Sequence, residues 1–417
     1  MVILHSIFNM GKTKIFNDPI YGLISYPFEI LYDLIEHPYF QRLRRISQTG
    51  MAHYVYPGAH HTRFQHALGA LHLMTKAVTV LREKGVDITN DEAEAVCIAI
   101  LLHDIGHGPY SHALERNILN FHHEELSIMY MEELNEIFDN RLSLAIRIFT
   151  GSYTKDYLHE LVSSQLDMDR MDYLSRDSYY TGVAEGVIGY DRLIKMLNVA
   201  EGHLVIEEKG IYSVEKFLMA RRLMYWQVYL HKTSVGVEQM LIATLKRAKK
   251  LLNAGVDVFC SPALHELLIY QESVKGNKLS NKELLVLFSR IDDIDVLGLV
   301  KGNVDHEDYI LSYMCQSLIK RQLFKVYLSP HKPSPSELTS IETDVCEQLG
   351  VNQQQVKELV ITGYENNQLY NSTNDEIRIL QKSGIVVPFS KFSELKFDLE
   401  TTGKYFICRP SLHNGKY

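Results

Sequence analysis

The chain has 417 residues, of which 46% are hydrophobic and 23% are charged, so it can bury the core of one large or two moderate domains. Its net charge of −8 at pH 7 argues against nucleic acid as the main ligand and against a membrane surface as a partner. No apolar run reaches the roughly 18 residues that a spanning helix needs. The five cysteines form no Cys-x-x-Cys pair, so we expect a cytoplasmic protein.

Most of the segment from about residue 28 to residue 330 carries apolar residues at helical spacing, as in A-L-G-A-L-H-L-M-T-K-A at 67–77. This pattern predicts a mainly α-helical protein with a helical core. One helix is predicted to begin at Asn90, which two acidic residues follow, and its apolar run ends at Gly106. That helix would deliver the His-Asp pair at 103–104 near its C-terminal end.

Short β insertions interrupt this helical pattern. Residues 203–212 hold two apolar stretches around charged residues and a glycine, which predicts a hairpin between helices. Polar sequence with prolines at 329–336 marks the predicted boundary between a core at 1–330 and a small α+β lobe at 331–417. The strands predicted in this lobe lie at 376–380, 384–388 and 404–408.

The dipeptide His103-Asp104 indicates metal binding, in a part of the chain that is rich in histidine. It follows the apolar stretch A-I-L-L at 99–102, where a carboxylate buried without a partner would be costly. A metal ion satisfies an adjacent imidazole and carboxylate, and such ligands suit Mn, Fe, Mg, Zn or Ni. The alternative is an aspartate that hydrogen-bonds the glycine-rich turn after it, so the dipeptide alone leaves both interpretations open.

Four segments together carry a more specific pattern. They are R-F-Q-H at 63–66, H-D-I-G-H-G-P-Y-S-H at 103–112, H-E at 123–124 and D-M-D-R-M-D-Y at 167–173. The pattern resembles the H…HD…D motif of the HD superfamily, and most closely that of deoxynucleoside triphosphate triphosphohydrolases of the sterile-alpha-motif and HD-domain type. The resemblance implies a helical HD-domain core and a divalent metal held by His66, His103, Asp104 and Asp169. The alternative is a buried polar network.

The resemblance also implies the reaction, which is attack at the α-phosphorus of a deoxynucleoside triphosphate with release of a deoxynucleoside and inorganic triphosphate. The leaving 5′ oxygen then needs a proton. The residues implied in this step are His112 as general acid, His107 at a phosphate, and His123 and Glu115 in support. Family members carry Asp in place of Glu115. The alternative for His107 and His123 is that they only stabilise the turn through hydrogen bonds.

Seven positions match substrate contacts of the family: Gln48, Arg63, Arg170, Tyr173, Asp177, Arg221 and Tyr229. The arginines would bind triphosphate oxygens, and the aspartate would be a pocket carboxylate. The tyrosines would pack against the sugar and reject a 2′-hydroxyl, and the glutamine would read the 3′-hydroxyl. The alternative for the tyrosines is ordinary helix core. Thr49 and Leu230 depart from the family pattern and leave the preferred nucleobase open.

A second nucleotide site is implied by K-I-F-N-D-P-I at 14–20, within an N-terminal nucleotide-binding segment at 10–20. In allosteric family members this segment binds an activating nucleotide at a subunit interface, so we expect a nucleotide-promoted homotetramer. The matching residues of this site and of a neighbouring pocket are Lys14, Ile15, Asn17, Glu36, Gln41, Arg42, Arg44, Val55, Tyr56, Arg192, Lys209, His231 and Lys232. Glu36 replaces a guanine-reading Asp, which leaves the activating base open. The alternative is a solvated basic face or an inter-subunit salt bridge.

Two other functions stay open beside triphosphate hydrolysis. One is an HD phosphodiesterase or nucleotidase that acts on nucleoside monophosphates or nucleic-acid ends, and the other is a nucleotide-sensing regulator. The tyrosines and arginines suit a triphosphate and a sugar better than a polymer, and the intact ligand set argues against a regulator whose catalytic site is dispensable.

Overall fold

The fold is mainly α-helical, which confirms the predicted class. The computed structural model describes residues 14–111, 115, 122–270, 279–365, 376–393 and 403–411. The helices up to residue 330 are α1 (Glu29–Glu36), α2 (Pro38–Gln41), α3 (Arg63–Glu83), α4 (Asn90–Leu102), α5 (His123–Ile137), α6 (Ser143–Phe149), α7 (Asp156–Val162), α8 (Met168–Thr181), α9 (Tyr190–Met196), α10 (Ile211–Met224), α11 (Lys232–Asn253), α12 (Pro262–Ile269), α13 (Asn281–Phe288), α14 (Asp293–Gly302) and α15 (Tyr309–Ile319). Beyond residue 330 lie α16 (Pro335–Leu349), α17 (Gln353–Leu359) and α18 (Phe389–Phe392).

Helices α3, α4 and α8 position the candidate site, because α3 packs against both of the others. Helix α3 begins where the Gln65 side chain accepts the Thr62 N–H at 2.9 Å. In α4 a capping box joins Thr89 and Glu92, and the helix is buried along nearly its whole length, as its apolar sequence predicts. In α8 the Asp167 side chain accepts the N–H of Arg170 at 2.7 Å.

Helix α4 ends at Leu102, four residues before the predicted end. The chain then forms a hydrogen-bonded turn, in which the N–H of Ile105 bonds the carbonyl of Leu102 at 3.1 Å. The His-Asp pair therefore lies directly after the helix. The start of α3, the end of α4 and the start of α8 each carry metal-ligand candidates, so three helix termini converge on one place.

Nine short strands form three sheets among the described residues. They are β1 (Phe16–Asp18), β2 (Gly22–Ile24), β3 (Leu197–Ala200), β4 (His203–Glu207), β5 (Lys325–Ser329), β6 (Ile361–Glu365), β7 (Arg378–Leu380), β8 (Val386–Pro388) and β9 (Lys404–Arg409). Strands β1 and β2 form an antiparallel hairpin. The second sheet has the order β3-β4-β7-β8, with β4 and β7 parallel, and the third has the order β5-β9-β6.

The predicted hairpin at 203–212 is only half right. Strand β4 forms, but its partner is the upstream strand β3, with Val199 opposite Leu204. Tyr212 lies instead in α10, which begins at Ile211. The glycine at 210 that suggested a turn between strands is a tightly packed position, because a Cβ there would collide with Ile206.

The three strands predicted beyond residue 330 are confirmed as β7, β8 and β9. They pair with strands from the earlier part of the chain: Ile206 of β4 lies beside Ile379 of β7, and Val326 of β5 beside Cys408 of β9. The two parts therefore share both larger sheets, and the division at residue 330 stays a prediction. No helix in the described residues has both the length and the apolar character needed to cross a membrane.

Candidate active site

Three of the predicted metal ligands bring their donor atoms together. Nε2 of His66 lies 3.3 Å from Nε2 of His103 and 3.1 Å from Oδ1 of Asp169. Nε2 of His103 lies 3.5 Å from the same Asp169 oxygen. The three donor atoms fall within 4.8 Å of one another, which is the spacing of atoms that could share one ion.

The fourth predicted ligand, Asp104, lies beside this group. Its Oδ1 is 3.4 Å from Nε2 of His103 and its Oδ2 is 3.7 Å from Nε2 of His66. Asp104 also forms an ion pair with Arg63 and lies 3.2 Å from Nε2 of His107. The structure thus gathers all four predicted ligands, two imidazoles and two carboxylates, which is a donor set for a divalent metal of borderline or hard character.

In each imidazole, Nδ1, the ring nitrogen other than the candidate donor atom Nε2, lies beside a hydrogen-bond acceptor. Nδ1 of His66 lies 2.8 Å from Oδ2 of Asp172, and Nδ1 of His103 lies 2.6 Å from the carbonyl of Ile100. When Nδ1 donates to these acceptors, the lone pair of each Nε2 points toward the other donor atoms, as a metal-binding histidine requires. The residues present therefore fit a divalent metal.

Electrostatics keep the carboxylates ionised. Burial opposes the charge of Asp104, but Arg63 and then His103 hold the pKa of Asp104 well below its usual range. Burial also disfavours charge on His66, yet hydrogen bonds to Asp169 and Asp172 outweigh it and raise the pKa of His66 to about 10. A metal ion would take the place of that proton, since both neutralise the same carboxylates.

A cavity of about 550 Å³ opens beside the candidate ligands. Asp104, Asp169 and Arg63 line it, together with several residues predicted for substrate and catalysis, which are Gln48, His107, His123, Tyr173, Asp177 and Tyr229. At its wall, Oε1 of Gln48 and Oγ1 of Thr49 are buried without a hydrogen-bond partner among the described residues. Buried polar atoms of this kind suit a ligand that brings its own hydrogen-bonding groups.

The two predicted sugar-contacting tyrosines meet in this cavity. The rings of Tyr173 and Tyr229 lie edge to face with centroids 6.3 Å apart. Tyr229 donates its hydroxyl to Oδ2 of Asp177 at 2.6 Å, and Oδ1 of Asp177 lies 2.7 Å from Nε2 of His61. Burial and then Asp177 raise the pKa of Tyr229 well above its ordinary value, so the phenol stays a donor.

Arg170 and Arg221 lie beside the cavity and are not among the described residues that line it. Nη1 of Arg170 pairs with Asp167 at 2.5 Å, and Nη1 of Arg221 donates to Oε1 of Gln165 at 2.8 Å. Burial raises the pKa of Tyr173 to about 12, and the charges of Arg221 and Arg170 oppose that rise. Both arginines therefore act electrostatically on the cavity wall, while a direct triphosphate contact stays a prediction.

Three of the four predicted catalytic residues, His107, Glu115 and His123, lie among the described residues. The rings of His107 and His123 stack at 3.9 Å, and Nδ1 of His123 lies 3.0 Å from Oε1 of Glu115. Burial and the charge of Arg63 lower the pKa of His107 well below its usual range, so its imidazole is neutral. His112, the predicted general acid, lies outside the described residues.

Three carboxylates are among the residues of this region that sequence reasoning missed. Asp172, which orients His66, sits in the D-M-D-R-M-D-Y segment and forms an i,i+4 ion pair with Arg176 that its spacing could have indicated. Glu238 of α11 and Glu365 of β6 line the cavity as well. Glu365 follows the predicted domain boundary, and no local signal connects it with the metal ligands.

Four residues predicted for the first activator site lie close together, namely Lys14, Glu36, Gln41 and Arg44, while Ile15 and Asn17 are exposed in the segment that begins at Lys14. Lys14 forms an ion pair with Glu36 at 2.8 Å, and the Gln41 side chain accepts from Nε of Arg44 at 2.8 Å. Gln41 also donates to the carbonyl of Ile35, which adjoins Glu36. This surface is compatible with a nucleotide site, which stays a prediction.

Arg42 departs from that expectation because it is buried. Its Nη2 donates to the carbonyls of Ile105 and His107 at 2.9 and 2.8 Å, and its guanidinium lies 5.0 Å from the ring centre of Phe288. These contacts fix the turn that carries the His-Asp pair. Arg42 therefore does not fit a contact with a phosphate at a subunit interface, since its donors face the interior.

The residues predicted for the neighbouring activator pocket form two local groups. In the first, the rings of Tyr56 and His231 lie 6.1 Å apart, with Val55 and Lys232 next to them in the chain. In the second, Nη2 of Arg192 donates to the carbonyl of Lys209 at 3.0 Å. A shared nucleotide pocket for these groups stays a prediction.

Comparison with known proteins agrees with this geometry. The model of the HD domain matches residues 63–177, and that of the HD associated region matches residues 188–258. A crystal structure of a phosphohydrolase from Bacteroides thetaiotaomicron is 46% identical, with a TM-score of 0.90 over 96% of this chain and 100% of that one. YwfO of Bacillus subtilis is 34% identical over 80% of this chain and 76% of its own length.

Similarity extends to proteins with a named activity. The deoxynucleoside triphosphate triphosphohydrolase SAMHD1 of Bos taurus is 30% identical over 56% of this chain. The SAMHD1 homolog of Dictyostelium discoideum is 32% identical over 58% of this chain. The chain spans about half the length of these two relatives, 47% and 50% respectively.

Proposed function

The chain belongs to the HD-domain phosphohydrolases, and from this we propose that it hydrolyses deoxynucleoside triphosphates to deoxynucleosides and inorganic triphosphate with a divalent metal. The observation that carries the proposal is that His66, His103 and Asp169 bring their donor atoms together and that Asp169 also lines a cavity of about 550 Å³, whose wall includes Gln48 and Tyr173. A cavity of this size is in the range of nucleotide-sized ligands. The names of the SAMHD1 relatives support the same substrate class.

Each group at the cavity has a part in this proposal. A bound divalent metal supplies a Lewis acid for a phosphate oxygen and lowers the pKa of a bound water. Arg63, which is anchored by Ser111 at 3.0 Å, offers fixed positive charge for phosphate oxygens. Tyr173 and Tyr229 form an aromatic wall that would close around deoxyribose and leave no room for a 2′-hydroxyl. His112 remains the proposed donor of the proton to the 5′ oxygen.

The direct test is to incubate the protein with each deoxynucleoside triphosphate and Mn²⁺ or Mg²⁺, alone and in pairs, and to separate the products by chromatography. We expect inorganic triphosphate and the deoxynucleoside. Release of pyrophosphate or of single phosphate groups would contradict the proposal. Turnover of nucleoside monophosphates or of nucleic-acid ends in place of triphosphates would favour the nucleotidase or phosphodiesterase alternative.

Gln48 allows a test of how the sugar is recognised. Its buried side-chain oxygen has no described partner, so we propose that it pairs with the 3′-hydroxyl. Gln48→Ala is expected to lower kcat/KM for a deoxynucleoside triphosphate by about threefold to tenfold, as for the loss of one hydrogen bond. With a 2′,3′-dideoxy substrate, wild type and variant should turn over alike. An equal loss on both substrates would remove Gln48 from this role.

We also propose activation by a nucleotide bound between subunits of a homotetramer, at the surface that carries Lys14, Glu36, Gln41 and Arg44. Nucleotide and assembly would then stabilise each other by linkage. Gel filtration with deoxynucleoside triphosphates is expected to show earlier elution than without them, and Arg44→Ala should abolish the shift. Full activity at an unchanged elution volume would contradict this arrangement.

A further inference from the structure

The β1–β2 hairpin is connected to the candidate metal ligand His66 by a series of buried and partly buried polar contacts. Oδ1 of Asp18 accepts the N–H groups of Ile20 and Tyr21 at 2.8 and 3.0 Å and so fixes the turn between the strands. Oδ2 of Asp18 forms an ion pair with Nη1 of Arg176 at 2.9 Å. One carboxylate therefore holds both the hairpin and a residue of α8.

Arg176 continues this connection to Asp172. Its Nε and Nη2 donate to the two oxygens of Asp172 at 2.9 and 3.0 Å, a bidentate pair between fully buried side chains. The hairpin adds a direct contact, because the hydroxyl of Tyr21 donates to Oδ1 of Asp172 at 2.8 Å. Oδ2 of Asp172 then lies 2.8 Å from Nδ1 of His66.

Asp172 and Arg176 are also closely packed against helix α3. A Cβ at Gly69 of α3 would collide with both Asp172 and Arg176, so α3 and α8 approach closely only because this residue is glycine. Buried polar groups that pair with one another in this way restrict each other's orientation. The orientation of the His66 ring therefore depends on residues of the hairpin.

We propose that Asp18, Tyr21, Asp172 and Arg176, here called the hairpin relay, position His66 for metal binding, so that displacement of the β1–β2 hairpin weakens the metal site. The inference rests on the metal site of the proposed function. The four members are positioning residues, since they act through His66. By linkage, metal binding must in turn stabilise the hairpin.

The test uses Mn²⁺ alone, titrated calorimetrically into the full chain after removal of metal. Tyr21→Phe deletes one hydroxyl of the relay and is expected to weaken Mn²⁺ binding about twofold to tenfold. Asp172→Asn, next to the ligand, should weaken it about tenfold to a hundredfold. The matched control is Tyr26→Phe, which deletes a buried hydroxyl that donates to Leu68 at 3.0 Å and should bind Mn²⁺ like wild type.

Hydrogen exchange adds a readout that loss of stability alone would not change. Mn²⁺ is expected to slow amide exchange across 16–24 in wild type and Tyr26→Phe, and to slow it less in Tyr21→Phe. Unchanged Mn²⁺ affinity in Tyr21→Phe and Asp172→Asn would overturn the relay and leave the proposed function intact. A wild-type chain that takes up no Mn²⁺ would overturn both.

Discussion

Asp169→Ala is expected to reduce deoxynucleoside triphosphate hydrolysis by about a thousandfold or more, because metal catalysis contributes several kcal/mol and each 1.4 kcal/mol is about tenfold in rate. Asp169 provides the oxygen that lies within 3.5 Å of the Nε2 atoms of both His66 and His103. Its removal leaves two imidazoles with Asp104, which Arg63 already holds. Activity assays with saturating Mn²⁺ measure the loss of turnover, and calorimetric Mn²⁺ titration measures the loss of metal affinity.

The control for this variant is Asp344→Ala, which removes an exposed carboxylate from α16, outside the cavity. It should retain wild-type turnover and Mn²⁺ affinity. The circular dichroism spectrum of metal-free protein should be similar for both variants and wild type, since Asp169 is not part of the apolar core. The thermal midpoint of metal-free Asp169→Ala should be somewhat lower, because the ion pair with His66 is lost. Turnover within tenfold of wild type in folded Asp169→Ala would refute the ligand assignment.

Arg42→Ala is expected to lower the free energy of unfolding by about 3 kcal/mol or more, because it leaves the carbonyls of Ile105 and His107 buried without their donor. It also vacates the volume that the guanidinium fills beside Phe288. Since those carbonyls belong to the turn after the His-Asp pair, Mn²⁺ binding should weaken as well. Urea unfolding of metal-free protein measures the loss of stability.

Arg44→Ala is the comparison for Arg42, since Arg44 is exposed and contacts mainly the ring of Phe64 and the side chain of Gln41. Its removal should change stability by about 0.5 kcal/mol or less. If Arg42→Ala unfolds at the same urea concentration as wild type, its buried contacts contribute little. An interface role for Arg42 would then have to be considered again.

The candidate metal ligands could be predicted from sequence because they lie in short motifs that resemble those of the HD superfamily. The positions of His66, His103 and Asp169 relative to their own helices follow from the local sequence. That the three helix termini meet at one place follows only from the tertiary fold. The mainly helical class followed from apolar spacing for the same reason, since it depends on local periodicity. The strands at 378–380 and 386–388 were likewise visible locally.

What could not be predicted depends on contacts between distant segments. Arg42 looks like one member of a basic surface cluster, but it lies in a 3₁₀ turn whose successive side chains point in different directions, and only packing decides which one is buried. Asp172 acquires its role from the close approach of α3 and α8 at Gly69. Strand β3 was not predicted because it is recognised as a strand through its pairing with β4 and not from its own sequence.

The placement of β9 between β5 and β6 has a consequence for synthesis on the ribosome. The chain emerges N-terminus first, so the candidate metal ligands, the last of which is Asp169, are available early. Strand β6, which carries the cavity residue Glu365, lacks its pairing partner until Lys404–Arg409 has been translated. At about 5–20 residues per second, the interval from Asp169 to β9 is on the order of 10–50 s. A nascent chain would thus hold all four candidate ligands while the cavity wall at Glu365 still lacks the strand that pairs with β6.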